Sequence, residues 1–291
     1  MVSLVHLKVL AAVARHRSVT EAAKELHYSQ PSVSHHLSRL EAAVGVKVVQ
    51  RVGRGIRLTP EGELLAHRAG EILGRLDAAT SELAAQVGLR SGRVRVAANA
   101  SALATIVPQA ASLLAEAYPG VELVVFDRHP VEALQMLRHS EIDVALIFRY
   151  ADAPIEEDGF RLVQVGEDPI YLISQQAGDS LANHRDSAWI GGCERCQEEL
   201  TKVCQREGFT PRIGSHSDDM VVVQALVAAG VGVTTLPGLA LRAHRRPDIH
   251  ATELDSSPRR IFAVTYGEPP DPPASAALIQ ALIDSARQLA Q

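Results

Sequence analysis

The chain has 291 residues, 46% of them hydrophobic and 22% charged, which is enough for two domains with sizeable cores. Charged residues or prolines interrupt every apolar run, so we expect no membrane-spanning segment. The chain has three cysteines, an odd number that does not form a framework of paired disulfides. The N-terminus lacks the basic leader and long apolar core of a signal peptide, and a cytoplasmic protein is the simplest interpretation.

The net charge of −5 is distributed unevenly along the chain. Residues 1–60 contain nine lysines and arginines against three acidic residues, a balance of +6, which leaves −11 on the remainder. A basic N-terminal module attached to an acidic body suggests that only the small module meets a polyanion.

Three helices are predicted in this basic module. Apolar residues recur at helical spacing over Leu4–Ala14 and Val19–Leu26, and a third helix follows Ser29. Ser29 is a good N-cap, Pro31 falls in the first turn where a missing amide costs little, and Gly45 suits the C-terminus. This pattern is typical of a DNA-reading helix-turn-helix, with an ordinary helical hairpin as the alternative.

A two-stranded wing is predicted over residues 46–58, with its turn at Gly53-Arg54-Gly55. Its arginines, Arg51, Arg54 and Arg57, suit phosphates or a narrow minor groove, although a solvated hairpin would carry the same residues.

A long helix is predicted to begin at Thr59-Pro60-Glu61, which combines an N-cap hydroxyl, a proline and an acid, and to end near Val87. Apolar residues along it alternate at spacings of four and three, which is typical of a coiled-coil seam and predicts a dimer. The seam consists of Leu65, Ala69, Ile72, Leu76, Ala79 and Leu83.

Beyond a predicted hinge at 88–92, apolar strands alternate with amphipathic helices to the end of the chain. The predicted strands are Arg93–Ala98, Val121–Phe126, Ile142–Ile147, Asp168–Ser174, Ala188–Ile190, a short one near Ile213, Val231–Thr235 and Arg260–Thr265. The predicted helices are Ser101–Ala117, Pro130–Arg138, Glu198–Arg206, Met220–Ala229 and Ala274–Leu289. This α/β alternation favours parallel sheets covered by helices on both faces.

Two stretches resemble the LysR-type transcriptional regulators: SVTEAAKELHYSQPSVSHHLSRLEAAVGVKVVQRVGRGIRLTPEGE at 18–63 and ALVAAGVGVTTLP at 225–237. The resemblance covers essentially the whole chain. It implies a winged helix-turn-helix over 1–58, a linker and dimerisation helix with a hinge over 59–91, and an effector-binding domain over 92–291. That domain would resemble type II periplasmic binding proteins, with two Rossmann-like subdomains, 92–165 plus 263–291 and 166–262. The crossover strands would lie near Val163–Asp168 and Arg260–Val264.

The resemblance also implies which residues contact DNA. They are Gln30, Pro31, Ser32, Ser34, His35 and Arg39 on the recognition helix, with Arg51 and Arg54 in the wing. Gln30 can pair with an adenine edge, whereas the arginines mainly position the protein. His35 stands where the family often has arginine, and Val48-Val49 replaces its usual Leu-Phe. The implied partners are a palindromic promoter site in double-stranded DNA, a small-molecule effector, and further copies of the chain in a dimer or tetramer.

The effector cleft is expected beyond the carboxyl ends of the strands. Polar or aromatic residues stand there in the segments 99–101, 128–129, 148–149, 216–218 and 234–235. For each of them a cap or turn role explains the residue as well as a ligand contact does. The predicted effector contacts are Asn99, Ala100, Ser101, Arg128, Phe148, Cys193, His216 and Thr234.

Two cysteines at CxxC spacing, Cys193 and Cys196, are the unusual feature of the body. They follow a strand and open a helix, where the dipole lowers the pKa of a thiol. Three roles stay open: structural or ligand-lining, thiol redox sensing by a redox-responsive regulator, and metal binding, for which Cys204 lies two helical turns away.

Two other classes of protein fit the sequence less well than a regulator does. A secreted solute-binding protein would not need residues 1–60. An enzyme is not expected, because no Gly-rich phosphate loop, Ser/His/Asp order or metal pattern appears in the right context. No cofactor and no metal site are predicted.

Overall fold

The structure is a computed structural model that describes residues 1–52, 55–86, 92–150 and 159–290, with side chains for all of these except 51, 52, 55, 77, 78 and 80–86. None of the helices in these ranges is long and apolar enough to span a membrane.

The basic module folds as three helices and a two-stranded hairpin, as predicted. Its elements are α1 (Leu4–His16), α2 (Val19–Glu25), α3 (Gln30–Val44), β1 (Val49–Val52) and β2 (Gly55–Leu58). Ser3, Ser18 and Ser29 cap the three helices, each through a side chain that accepts from an amide three residues on. Leu10 and Leu40 lie at the centre of the module's buried core.

The long helix α4 (Pro60–Gln86) is joined to the module at its first turn. The hydroxyl of Thr59 accepts from the amide of Gly62 at 3.0 Å and donates to the carbonyl oxygen of Lys47 at 2.7 Å. The predicted helix end at Val87 and the hinge residues 88–91 lie outside the described residues.

The first subdomain of the body is built on a five-stranded sheet in the order β4-β3-β5-β12-β6. Its strands are β3 (Gly92–Ala98), β4 (Val121–Asp127), β5 (Val144–Arg149), β6 (Phe160–Asp168) and β12 (Arg259–Tyr266). Its helices are α5 (Ala100–Leu103), α6 (Ile106–Ala117), α7 (Pro130–Arg138) and α11 (Pro273–Leu289). The strands β3, β4 and β5 are parallel, whereas β12 runs antiparallel to both β5 and β6.

The second subdomain contains the remaining strands and helices. They are β7 (Ile170–Ser174), a 3₁₀ turn (Leu181–His184), β8 (Ala188–Gly191), α8 (Glu194–Arg206), β9 (Arg212–His216), α9 (Met220–Ala228), β10 (Thr234–Pro237), α10 (Gly238–Ala243) and β11 (His250–Glu253). The strand β7 pairs antiparallel with β10 and β11, and β8 pairs parallel with β9.

Several details differ from the sequence-based expectations. The helix α10, the strand β11 and the 3₁₀ turn were not predicted. The sheets are not all parallel. The five-stranded sheet is mixed, because β12 returns from the second subdomain and enters it against the direction of β5, and the sheet of β7, β10 and β11 is antiparallel. The helix predicted over Ser101–Ala117 is two helices, α5 and α6, separated at Ala104-Thr105. Pro108 then lies in the first turn of α6, where an amide has no partner within the helix.

The chain passes between the subdomains at two adjacent points. Asp168, the last residue of β6, is paired in register with Arg259, the first residue of β12. The expected crossover segments therefore do form neighbouring strands of the first sheet. The predicted subdomain boundaries at 165/166 and 262/263 fall inside these strands rather than at their ends.

Candidate functional site

The helix α3 presents one polar face to solvent. Val33, Leu37 and Leu40 point into the core of the module, which leaves the opposite side of the helix free. Five of the predicted DNA contacts are exposed there: Gln30, Pro31, Ser34, His35 and Arg39. The face thus offers an amide, a hydroxyl, an imidazole and a guanidinium within three helical turns, a set suited to base edges and phosphates.

Ser32 differs from the other predicted contacts because it is half-buried at the border of this face. Its amide donates to the Ser29 hydroxyl at 3.3 Å, so the residue takes part in the cap of the helix. In the wing, the side chain of Arg51 and the whole of Arg54 lie outside the described residues, while Arg57 on β2 is exposed.

Glu41 connects the recognition helix to the wing, a role that sequence reasoning missed. Its carboxylate is almost fully buried and accepts from the amides of Val48 and Val49 at 3.1 and 3.4 Å and from Lys47 Nζ at 2.6 Å. Burial alone would raise the pKa of Glu41, but these hydrogen bonds outweigh it and lower the pKa below its usual value. The wing is thereby held at a fixed position relative to α3.

The predicted dimer seam on α4 is divided between two environments. Leu65 packs against the core of the module, and Ala69 is fully buried within the single chain, which makes Ala69 unavailable to a partner. Ile72 and Leu76 are 46% and 38% exposed, and Ala79 is exposed as well. The side chain of Leu83 lies outside the described residues. The exposed apolar face therefore begins one turn beyond Ala69.

A cavity of about 100 Å³ lies between the two subdomains, at the ends of β3, β5, β8 and β10. Six of the eight predicted effector contacts line it: Asn99, Ala100, Ser101, Phe148, Cys193 and Thr234. Further lining residues that carry polar or reactive groups are His129, Tyr150, Cys196, Ser217, Asp218, Thr235 and Arg259. A mostly apolar wall with a few convergent polar groups is the usual composition of a small-molecule site.

Arg128 and His216 lie outside this lining, contrary to expectation. Arg128 is exposed, donates to the carbonyl oxygen of Asp127, and borders a wider opening of about 770 Å³ between the module and α7. His216 is exposed on β9. In both cases a neighbouring residue lines the cavity instead, His129 and Ser217, because the chain turns into the cleft one residue later than the pattern suggested.

A buried ion pair closes the base of the cavity where the chain crosses between subdomains. Arg259 and Asp168 are 2% and 1% exposed, and the guanidinium Nε lies 2.7 Å from Asp168 Oδ2. Arg259 also donates to the Ser101 hydroxyl at 2.7 Å and stacks 4.6 Å from the centre of the Phe148 ring. Among the described residues, Arg259 is the only arginine that lines the cavity. The carboxylate of Asp168 already balances its charge.

Cys193 and Cys196 both lie in the wall of the cavity. Cys193 is the N-cap of α8, and Cys196 lies in the first turn of that helix. The neighbouring Cys196, aided by His129, outweighs burial and lowers the pKa of Cys193 below its usual value. The neighbouring Cys193, together with burial, raises the pKa of Cys196 well above its usual value.

The mouth of the cavity is spanned by a second pair of residues. His129, at the start of α7, lies in the first subdomain, and Asp218, which follows β9, lies in the second, with 3.5 Å between Nε2 and Oδ2. Tyr150 also reaches from the first subdomain to Cys196 in the second.

Metal ligation gains no support, since the described residues contain no group of three or more His, Cys, Asp or Glu that could hold an ion.

Comparisons with known proteins bear on both parts of the chain. The family model described as "Bacterial regulatory helix-turn-helix protein, lysR family" matches residues 4–63, and the model "LysR substrate binding domain" matches residues 88–287. The RuBisCO operon transcriptional regulator of Acidithiobacillus ferrooxidans is 29% identical over 252 residues, 83% of this chain and 79% of that protein.

Two further similarities agree with this. The HTH-type transcriptional regulator YofA of Bacillus velezensis is 28% identical over 239 residues, 81% of each chain. A solved structure of full-length OxyR from Pseudomonas aeruginosa, a cysteine variant, superposes with a TM-score of 0.77 at 21% identity. That superposition covers 99% of this chain and 95% of the other, which establishes a shared fold.

Proposed function

Since this chain belongs to the LysR family of DNA-binding transcriptional regulators, we propose that α3 reads a promoter sequence and that a small molecule in the cleft controls this binding. The observation that supports base reading is the exposed face of α3, above all Gln30 in its first turn, whose amide can pair with adenine. A role on chromosomal DNA would place the protein in the cytoplasm, and a regulator of this kind needs no catalytic group.

Two variants separate base reading from phosphate contact once genomic mapping has identified a bound site. Gln30→Ala is expected to weaken binding to that site by about fivefold to a hundredfold, and binding to unrelated DNA much less. Arg39→Ala should weaken binding to both kinds of DNA and reduce the dependence of affinity on salt concentration. An equal loss on both DNAs for Gln30→Ala would contradict its role in reading bases.

Dimerisation through α4 is the second part of the proposal. The side chains of Ile72, Leu76 and Ala79 form an apolar face that the single chain leaves uncovered, and a symmetric dimer would present two α3 helices to a palindromic site. Leu76→Ser should shift the sedimentation coefficient toward the monomer. Val163→Ser is the matched control, because it removes an apolar side chain of similar exposure, 42%, from β6. The same measurement distinguishes a dimer from a tetramer.

Control by a small molecule is supported by the position of the cavity, whose wall contains residues of both subdomains. A ligand that fills it contacts both halves and so favours one angle between them. A thermal-shift screen of small metabolites on the full chain should find a compound that raises the melting temperature and changes affinity for the mapped site. A compound that raises the melting temperature without any effect on DNA binding would argue against control through this cleft.

A further inference from the structure

We propose that the cleft takes an uncharged molecule of about four to six non-hydrogen atoms, with an apolar body and one end that both accepts and donates a hydrogen bond. A small primary amide or alcohol has this chemistry. Carboxylates and phosphates should bind weakly or not at all. The inference rests on the control by a small molecule proposed above, and the compound of this class would be the one that exerts that control.

The cationic side chains in the cavity wall already have acidic partners. Within the part of the chain that the structure describes, the wall contains two side chains that can carry positive charge, Arg259 and His129. The carboxylate of Asp168 lies 2.7 Å from Arg259, and that of Asp218 lies 3.5 Å from His129. A ligand carboxylate would therefore add an uncompensated negative charge to a mostly apolar wall, which is strongly unfavourable.

The helices that begin at the cavity offer an anion little, although a helix N-terminus is often an anion site. The helices α5 and α10 have only four and six residues, and hence weak dipoles. In α9, the carboxylate of Asp219 already accepts from two amides of the first turn, at 2.8 and 3.3 Å. The helix α7 begins with Pro130, which has no amide to donate, and carries Glu132 in its first turn. At the N-cap of α8, the lowered pKa of Cys193 favours a thiolate, so negative charge is already present there.

Ser101 and Asn99 indicate the end group of the ligand. Both line the cavity, and the Ser101 hydroxyl oxygen accepts from Arg259 at 2.7 Å and from the Asn99 side-chain nitrogen at 2.8 Å. A hydroxyl has two lone pairs and one proton, so these two bonds leave its proton to donate. The side-chain oxygen of Asn99 remains an acceptor. A primary amide or an alcohol satisfies both groups, whereas a carboxylate has no proton to donate to Asn99.

The rest of the wall determines the body and the size of the ligand. It is mostly apolar and includes Phe148, Ile170, Ile190 and Leu236. The volume of about 100 Å³ is smaller than the roughly 150 Å³ of a cavity that holds benzene. An aromatic acid or a nucleotide is therefore too large at this angle between the subdomains, whereas a branched amide such as isobutyramide has a suitable size. Burial of its methyl groups against these side chains favours binding.

The two ends of such a ligand contact different subdomains. Asn99 and Ser101 follow β3 in the first subdomain, whereas Ile190 on β8 and Leu236 on β10 belong to the second. A ligand bound to all four residues favours the angle at which both halves reach it. This effect requires no charge on the ligand.

The test compares isobutyramide with isobutyrate, which have nearly the same shape but differ in charge at neutral pH. Ligand-observed NMR with the full chain should give a dissociation constant at least about tenfold lower for isobutyramide. Ala100→Leu enlarges a side chain of the cavity wall and should weaken binding of isobutyramide by at least about tenfold. Ala115→Leu is the matched control, because it makes the same change at an exposed alanine of α6 outside this wall, and it should bind isobutyramide like the original chain. Thermal unfolding verifies the fold of both variants.

Equal or tighter binding of isobutyrate would overturn the proposed ligand class, and so would an undiminished affinity of Ala100→Leu or a failure of isobutyramide to bind. The affinity of the protein for the mapped DNA site is measured in parallel with each probe. If isobutyrate occupies the cleft and changes that affinity, the ligand class is wrong while control by a small molecule stands. If isobutyramide binds as expected, but neither it nor any compound of the metabolite screen changes that affinity, the proposed control fails while the ligand class stands.

Discussion

Removing one charge of the buried ion pair at the base of the cleft should destabilise the body severely. Removing both charges of the pair together should not. Asp168 Oδ2 accepts from Arg259 Nε at 2.7 Å, and Oδ1 accepts from the Leu239 amide at 2.9 Å. Asp168→Asn keeps an acceptor for Leu239 but leaves the guanidinium of Arg259 without a counter-charge. With both residues at most 2% exposed, water cannot replace it, so we expect a loss of about 3–5 kcal/mol.

The complementary variants separate the cost of an unpaired charge from the net value of the pair. Arg259→Met leaves a buried carboxylate and should cost a similar amount, about 3–5 kcal/mol. The double variant Asp168→Asn/Arg259→Met has no unpaired charge, and its methionine still packs on Phe148. It should lose only about 0–2 kcal/mol, less than either single variant.

The assay is urea unfolding of the full chain followed by tryptophan fluorescence. The single tryptophan, Trp189, is fully buried in the second subdomain and so reports on the body rather than on the DNA-binding module. The slope of the unfolding free energy against urea concentration should be the same in all four proteins, which makes their midpoints comparable. A double variant as unstable as the sum of the single ones, or a loss below about 1 kcal/mol for Asp168→Asn, would refute the electrostatic argument.

Three further predictions concern stability. Glu41→Ala should cost about 1–3 kcal/mol because two wing amides lose their acceptor, and Glu41→Gln less, as measured by thermal unfolding together with DNA affinity. Gly62→Ala should cost at least about 2 kcal/mol in urea unfolding, since its Cβ would lie 1.9 Å from the Val48 carbonyl oxygen, whereas Gly92→Ala meets nothing within 4 Å and should be nearly neutral. Burial opposes the charge of Asp179, yet hydrogen bonds from Asn183, Ser174, His184 and the Ser180 amide lower its pKa to about 2. Because the pKa of Asp179 is lower in the folded than in the unfolded chain, its carboxylate contributes about 2 kcal/mol to the free energy of unfolding above pH 4. This contribution should be lost as the pH falls toward 2. Asp179→Asn should therefore flatten the dependence of the unfolding free energy on pH in that range. Equal acid sensitivity of the Asn variant would contradict this last reasoning.

The DNA-binding module was accessible to sequence reasoning because its signals are local. Helical spacing, the Ser29 cap and Gly45 lie within one helix length of each other, and the structure places α3 where they predicted it. Ser32 shows the limit of that reasoning. It has the chemistry of a base contact, but the rotation of the helix places it at the edge of the exposed face.

The helix α4 shows how packing divides a pattern that looks uniform in the sequence. Its apolar spacing continues through Leu65 and Ala69 to Leu76, which predicted one seam for a partner. The first part of that seam is covered by the chain itself, and only the part from Ile72 onward stays exposed. Periodicity reveals which side of a helix is apolar, but it does not reveal what covers it.

For the cleft, sequence reasoning found the ends of the strands and missed the groups that come from elsewhere. Asn99, Phe148 and Thr234 follow strands that the apolar runs made visible. Tyr150, which contacts Cys196, and Arg259, which pairs with Asp168 across 91 residues, left no local pattern.

By itself, the sequence determined the class of protein and the order of its elements, because caps, turns and apolar periodicity act over a few residues and the family motif is continuous over 18–63. The tertiary structure decided which charges neutralise each other and which side chains line the cleft together. Cys193 and Cys196 illustrate the division: their spacing was visible from the start, whereas the low pKa of Cys193 depends on Cys196, on His129 from the other subdomain, and on how deeply the fold buries them. Burial and the distance between charges are properties of chain segments brought together by folding, and these set the chemistry of the cleft.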